Sequence, residues 1–191
     1  MKRLPLVPTL IVAAAVALMV GLGIWQLQRA EWKNELLARY EANARLAPVA
    51  FPLVPTPKDE ALLFRRATGF CLQPASWTAR SGRNRIGEAG WRHIALCRTG
   101  AEGPGMAVDL GWSNSSDPPK AYRGGPVSGV IGADRERILL LVGDKAAPGL
   151  APSALPSLDD IPNNHLAYAV QWFLFAAMAV VIYVLALRRR K

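Results

Sequence analysis

The chain has 191 residues, of which 51% are hydrophobic, and a formal net charge of +9 at pH 7. Its mean hydropathy of +0.15 argues against an ordinary soluble domain, and its length leaves room for only one sizeable core. Six of the positive charges lie at the two ends, in Lys2, Arg3 and residues 188–191, so the middle of the chain carries only +3.

The first apolar segment, residues 4–27, contains no charged side chain. Pro5 and Pro8 fall in its opening turns, where a missing amide hydrogen costs a helix little. The segment predicts a cytoplasmic N-terminus at residues 1–5 and a transmembrane helix at 6–27. A cleaved signal peptide is the alternative, with a small-residue site at 15–17, but the apolar segment continues for ten residues beyond that site.

The same helix is expected to continue beyond the membrane as a helical extension, residues 28–46, because no Gly or Pro interrupts the sequence there. Side chains spaced three or four apart share one helical face, which is typical of packing. Trp25 is placed at the headgroup level and Arg29 just beyond it. The members of this face are Trp25, Arg29, Trp32, Leu36 and Tyr40.

A β-rich domain is predicted at 64–143, between proline-rich extended connectors at 47–63 and 144–164. Its short runs and turn residues indicate an antiparallel sheet or a small barrel. The basic stretch RSGRNR at 80–85 is typical of a solvated turn, and its place outside the membrane argues against nucleic acid as a partner. The strand-like runs are RRATGFCLQ, AGWRHIALCR, GMAVDLGW, GPVSGVIG and RILLLVG.

Two cysteines, Cys71 and Cys97, are 26 positions apart, which is too far for a Cys-x-x-Cys redox pair. Each lies in a strand-like run, so adjacent antiparallel strands would allow a disulfide in an oxidising compartment. Two free buried thiols are the alternative, and the sequence leaves both open.

The second apolar segment, residues 165–187, precedes a basic tail at 188–191. Its charge-free part spans about 33 Å as a helix, which matches a hydrocarbon core of roughly 30 Å. Short basic ends stay on the cytoplasmic side of a membrane. We therefore expect both termini in the cytoplasm and residues from about 30 to 163 outside.

Chemical motifs are few: the sequence contains no phosphate loop, zinc-protease motif, nucleophile elbow or dinucleotide fingerprint. The adjacent carboxylates Asp159 and Asp160 are more typical of a turn than of acid and base catalysis. The sequence predicts a protein that is not an enzyme.

One of the two histidines, His165, stands in IPNNHLAYAVQWF at the start of the second apolar segment. If Asn163 or Asn164 caps the helix, His165 falls in the first turn, with Tyr168 and Trp172 following it at helical spacing. Imidazole ligates haem iron, and an aromatic wall suits the flat macrocycle. An interfacial belt of amphipathic side chains is the simpler explanation from physics alone.

Family resemblance bears on this choice. The stretch NNHLAYAVQWF resembles the second-span signature of the Surfeit locus protein family, and GIWQLQRAEWKNELL is similar to its pattern after the first span. AVDLGW at 107–112 is similar to the family strand that ends in Gly-Trp. After it this chain has Ser113-Asn114 where the family usually has Val-Pro, and Leu110 stands where an Arg is typical.

The resemblance implies an assembly factor for haem-copper cytochrome c oxidase, in which a transiently bound haem a is delivered to subunit I. His165 matches the family histidine and would ligate the haem iron, with Tyr168, Trp172 and Trp25 around the ring. Arg29 would pair with a propionate, because guanidinium binds carboxylates bidentately. The expected partners are oxidase subunit I, the haem a biosynthesis machinery and the lipid bilayer.

The expected location is a bacterial inner membrane, since the chain lacks an Arg- and Ser-rich leader, with the central domain in the periplasm. The alternative function is a scaffold that stabilises oxidase assembly intermediates through protein contacts and never binds haem.

Overall fold

The computed structural model describes residues 5–100 and 105–189, so most of the predicted N-terminal segment and the end of the basic tail lie outside the described residues. The chain divides into two compact units. A helical unit contains the chain up to Leu37 and from Pro162 onward, and a sheet unit contains Ala38–Ile161.

Two long helices, α1 (Leu6–Arg45) and α2 (His165–Arg189), are candidate membrane spans. Their most apolar 18-residue windows have mean hydropathies of 2.4 and 2.3, and only 6% of the residues in each window are buried. The core helix of a soluble protein would instead be mostly buried. The structure therefore fits a membrane protein with two spans, and α1 continues without a break through the segment predicted as its extension.

Seven strands form one sheet in the described part of the sheet unit. They are β1 (Val49–Ala50), β2 (Arg66–Cys71), β3 (Gln73–Arg83), β4 (Ala89–Arg98), β5 (Met106–Ser113), β6 (Gly125–Asp134) and β7 (Ile138–Gly143). The order across the sheet is β1-β2-β6-β7-β5-β4-β3, with β1 and β3 as its edges.

The prediction of an antiparallel sheet or a barrel was wrong. The β1–β2 and β5–β7 pairs are parallel, and the other four pairs are antiparallel. Because the edge strands do not pair with each other, the sheet is open. Alternation within a strand reports which face is buried, and it carries no information about the direction of the neighbouring strand.

The sheet is nevertheless strongly curved, because β2 and β3 are nearly continuous and the chain bends at Leu72. Before the bend β2 pairs with β6, and after it β3 pairs with β4. Leu72 itself donates its amide hydrogen to the carbonyl of Arg98, at an N···O distance of 2.8 Å. The bend brings the end of β2 against the end of β4, which lies four places away in the strand order.

A disulfide between Cys71 and Cys97 joins the sheet at this bend, with Cα atoms 5.0 Å apart. The sequence left the pairing open and expected adjacent strands if it formed. The bridge instead connects β2 with β4, which do not pair with each other. Both cysteines are fully buried.

The core of the sheet unit lies around the central strands β5 and β7, where nearly every residue is buried. Asp109 is a buried polar centre within it. Its carboxylate accepts hydrogen bonds from Arg92 Nε at 2.5 Å, from the Gly111 amide at 3.0 Å and from Ser153 Oγ at 2.8 Å. A buried carboxylate with three donors is fully compensated, and it ties β4, β5 and the second connector together.

The basic stretch 80–85 was expected in a solvated turn, which is right for Arg85 but wrong for Arg80 and Arg83, which lie in β3. Arg80 Nη1 donates to the buried carboxylate of Asp134 in β6 at 3.0 Å, and Glu136 lies 2.9 Å from its other nitrogen. These ion pairs join β3 to β6 and to the turn after it, although β3 and β6 are not neighbours in the sheet. Sequence spacing gave no sign of them, because the partners are 54 positions apart.

The two connectors also differ from a purely extended chain. The first contains β1 and a short 3-10 helix, Pro57–Leu62, and the second contains a single 3-10 turn, Leu158–Asp160. Ser157 accepts the amide hydrogen of Asp159 in that turn, at 3.2 Å.

Candidate functional site between the two helices

Within the helical unit, α1 and α2 pack antiparallel. The hydroxyl oxygens of Thr9 and Tyr183 are 2.5 Å apart near one end of the pair. Near the other end Asn163 Nδ2 donates to Asn34 Oδ1 at 2.7 Å. Contacts between early α1 and late α2, and between late α1 and early α2, define the antiparallel arrangement.

Small residues allow this close approach. Ala169 and Ala176 are the buried residues of α2, at 0% and 5% exposure. On α1, a Cβ added to Gly23 would lie 2.6 Å from Cε1 of Phe173, so any larger residue there would displace that ring. In an apolar solvent, small residues at the contact and hydrogen bonds across it are the usual means of joining two helices.

His165 is the first residue of α2 and is partly buried. Its ring atom Nδ1 lies 2.7 Å from Oε1 of Gln26 on α1. The other ring nitrogen, Nε2, makes no hydrogen bond to any described residue. The structure thus gives the imidazole one protein partner and leaves one nitrogen available.

The asparagines before His165 have different roles. Asn164 immediately precedes α2, and its carbonyl accepts the amide hydrogen of Tyr168 at 3.2 Å. Asn163 does not cap the helix with its side chain, which hydrogen-bonds to Asn34 instead. The cap predicted for one of the two therefore falls at Asn164 by position, while Asn163 joins the two helices.

The aromatic residues predicted around the imidazole do not all share its face. Trp172 is partly buried, and its ring packs edge-on against Phe175 with centroids 6.2 Å apart. Tyr168 is 51% exposed, so it lies outside the buried face that contains Ala169. Helical spacing placed both near His165, but only Trp172 lies on the side of α2 that is covered.

On α1, Trp25 is 49% exposed. The guanidinium carbon of Arg29 lies 4.7 Å from the centroid of the Trp32 ring, which is a cation–π contact. Arg29 forms no ion pair with any described residue. Its guanidinium is thus held by an aromatic face while its hydrogen-bond donors remain available to an anion.

The SURF1 family model matches residues 13–177 of this chain, which includes both sides of the contact between α1 and α2. The chain belongs to the SURF1 family. That family is associated with cytochrome c oxidase assembly. No curated protein sequence matches the chain significantly.

In this SURF1-family protein, three residues of the site were not predicted from the sequence: Gln26, Asn34 and Trp32. Gln26 follows Trp25 in the stretch GIWQLQRAEWKNELL, which resembles the family pattern, so the sequence did mark this position. Nothing in the sequence places Asn34 opposite Asn163, which lies 129 positions away. Partners across two helices follow from their register, and an isolated sequence does not give that register.

The second histidine, His93, offers no comparable site. It is 1% exposed in β4, and its Nε2 lies 2.8 Å from Ser113 Oγ. The Ser113 hydroxyl donates in turn to the carbonyl of Ser115, so it is not activated as a nucleophile. Within residues 5–100 and 105–189, no group of three or more His, Cys, Asp or Glu side chains is arranged for a metal ion.

Proposed function

We propose that this protein is a carrier that holds haem a during assembly of haem-copper cytochrome c oxidase and delivers it to subunit I. Family membership supports the role in oxidase assembly. The observation that supports haem binding is the imidazole of His165, held by Gln26 through Nδ1 with Nε2 free of hydrogen bonds to described residues.

The chemistry of the side chains around His165 supports binding of a macrocycle. Ala169 is small and buried, Trp172 provides a partly buried aromatic ring, and both share a helical face with the imidazole. When bound, haem a supplies the iron that an imidazole nitrogen ligates. Arg29 would hold a propionate from the polar end of the span, with Trp25 at the headgroup level and Tyr168 at the outer side of the site.

The proposed location is a bacterial inner membrane, with both termini cytoplasmic and the sheet unit in the periplasm. The disulfide supports an oxidising compartment for the sheet unit. The basic residues at the chain ends support a cytoplasmic location for those ends. In that orientation His165 lies at the periplasmic side of the bilayer, where propionates stay near water while the ring lies in lipid.

We further propose that the protein is not an enzyme. A carrier needs a ligand and an apolar wall, and neither requires the acid-base pairs or activated nucleophiles on which catalysis depends. The partners in this proposal are oxidase subunit I and the machinery that makes haem a.

The replacement His165→Ala tests the ligand. We expect the protein purified from cells that make haem a to lose its Soret absorbance, because no second accessible histidine exists in the chain. The control is Leu166→Ala, one position away and 61% exposed, which should keep the absorbance. Equal haem occupancy in His165→Ala and the wild type would contradict the proposal.

A scaffold without haem is the second candidate, because a hydrogen bond between His165 and Gln26 also stabilises a helix pair by itself. Deletion of the gene would then lower the yield of oxidase, while the purified protein would remain colourless even with abundant haem a.

A further inference from the structure

The hydrogen bond between His165 and Gln26 fixes the position of a proton. Oε1 of a glutamine is an acceptor and has no hydrogen to donate. Nδ1 of His165, 2.7 Å from that oxygen, is therefore the donor and carries the hydrogen. In a neutral imidazole the other nitrogen, Nε2, then holds the free lone pair.

We propose that Gln26 is the positioning residue of the site: it selects the Nδ1–H tautomer of His165 and fixes the ring plane, so that Nε2 is presented as the ligating nitrogen. The use of that nitrogen for haem rests on the proposed function. The tautomer itself is a property of the protein without haem.

The hydrogen bond lies between two other contacts of the helix pair. Gly23, three residues before Gln26, lies directly against Phe173. Asn34, two turns after it, bonds to Asn163, which is two residues before His165. These two contacts hold α1 and α2 together on both sides of the hydrogen bond, which keeps Gln26 and His165 within reach of each other.

A partner of this kind has a known chemical effect. Histidines that bind metals almost always donate the other ring hydrogen to an acceptor, which fixes the tautomer and makes the ligating nitrogen a stronger donor. Here the acceptor is a neutral amide from a different helix. The donor strength of the ligating nitrogen on α2 therefore depends on a residue of α1.

The first experiment uses the haem-free, full-length protein in lipid nanodiscs, with nitrogen-15 in its two histidines. Ring spectra with both imidazoles neutral report which nitrogen carries hydrogen, and His165→Ala assigns the signals. We expect hydrogen on Nδ1 of His165 in the wild type. Gln26→Leu should shift the ring toward the Nε2–H form, and Gln26→Glu, which keeps an acceptor oxygen, should retain the wild-type form.

Gln28→Leu is the matched control, because Gln28 is the same residue type on the same helix but is exposed. It should leave the tautomer unchanged. Hydrogen on Nε2 in the wild type would overturn the proposal, as would identical ring signals in Gln26→Leu and the wild type.

The second experiment titrates the same proteins with haem a. We expect Gln26→Leu to bind about tenfold more weakly, Gln28→Leu to bind as the wild type, and Gln26→Glu to restore most of the affinity. Unchanged affinity in Gln26→Leu despite an altered tautomer would overturn the positioning role. If no protein binds haem a while the tautomers follow the expected pattern, the carrier function fails and the control of His165 by Gln26 stands.

Discussion

At the scale of single residues, the site depends on which side chains are covered. His165, Ala169 and Trp172 lie on the covered side of α2, whereas Tyr168 and Trp25 are about half exposed. Helical periodicity predicted that residues spaced three, four or seven apart on a helix lie near one another. It did not separate the covered side from the exposed one, because both sides of a span are apolar or aromatic near the headgroups.

Arg29 provides the residue-scale prediction. We expect Arg29→Gln to weaken haem a binding by roughly fivefold, since an exposed ion pair contributes at most about 1 kcal/mol. The difference from the wild type should shrink at high salt, because salt screens exposed charges. Titrations at low and high ionic strength measure both effects.

The control is Arg39→Gln, which removes an exposed arginine from the same helix. Binding in this variant should equal that of the wild type at both ionic strengths. An equal loss in the two variants would show that overall charge, and not a propionate at Arg29, controls affinity.

At the scale of elements, the sequence predicted both helices and five strands. The five strand-like runs lie in β2, β4, β5, β6 and β7. β3 was missed because it is an edge strand without a buried residue, so its sequence has no apolar alternation to detect. The parallel pairs were missed because strand pairing depends on contacts far apart in sequence, which the pattern within a single strand does not give.

The ion pair between β3 and β6 should make the stability of the sheet unit depend on pH. Burial alone would raise the pKa of Asp134, but hydrogen bonds from the Glu136 amide and Arg80, with the charges of Arg80 and Arg137, lower it below its ordinary value. A carboxylate with a lowered pKa stabilises the fold above the unfolded pKa of about 4. That stabilisation is lost as the pH falls through the lower, folded pKa.

We therefore expect Asp134→Asn to reduce the free energy of unfolding by about 2 kcal/mol at neutral pH. The difference from the wild type should narrow as the pH falls from about 4, where the carboxylate of the unfolded chain binds a proton, toward the lower pKa of the folded state. Urea midpoints from tryptophan fluorescence across this range measure it. The control is Asp160→Asn, which changes an exposed carboxylate. If the difference in free energy of unfolding between Asp134→Asn and the wild type stayed constant with pH, the prediction would be contradicted.

At the scale of the whole molecule, the distribution of charge and the disulfide both support the proposed orientation. The terminal residues are basic, and the sheet unit contains a disulfide that needs an oxidising compartment. The sequence was sufficient for two candidate membrane spans, because a charge-free segment of spanning length is a clear signal, and for the family, whose model matches residues 13–177. It was not sufficient for the disulfide, which requires the curvature of the sheet.

Orientation can be tested with a phosphatase reporter that is active only outside the cytoplasm. A fusion after Ile161 should be active, because that residue ends the sheet unit, and a fusion after Lys191 should be inactive. Both fusions contain α1, so a difference in reporter activity between them reflects α2 and not a failure of α1 to insert into the membrane. Activity after Lys191 would place the C-terminus outside and contradict the proposed orientation.

The separation of Gln26 and His165 along the chain has a consequence for the time at which the site is formed. The two residues are 139 positions apart, so their hydrogen bond requires both helices to be synthesised and inserted. Because a ribosome makes the chain from its N-terminus, α2 emerges after α1 and after the sheet unit. The imidazole therefore acquires its partner after the sheet unit has been synthesised, and an unfinished or half-inserted chain lacks the ordered imidazole that the proposed capture of haem a requires.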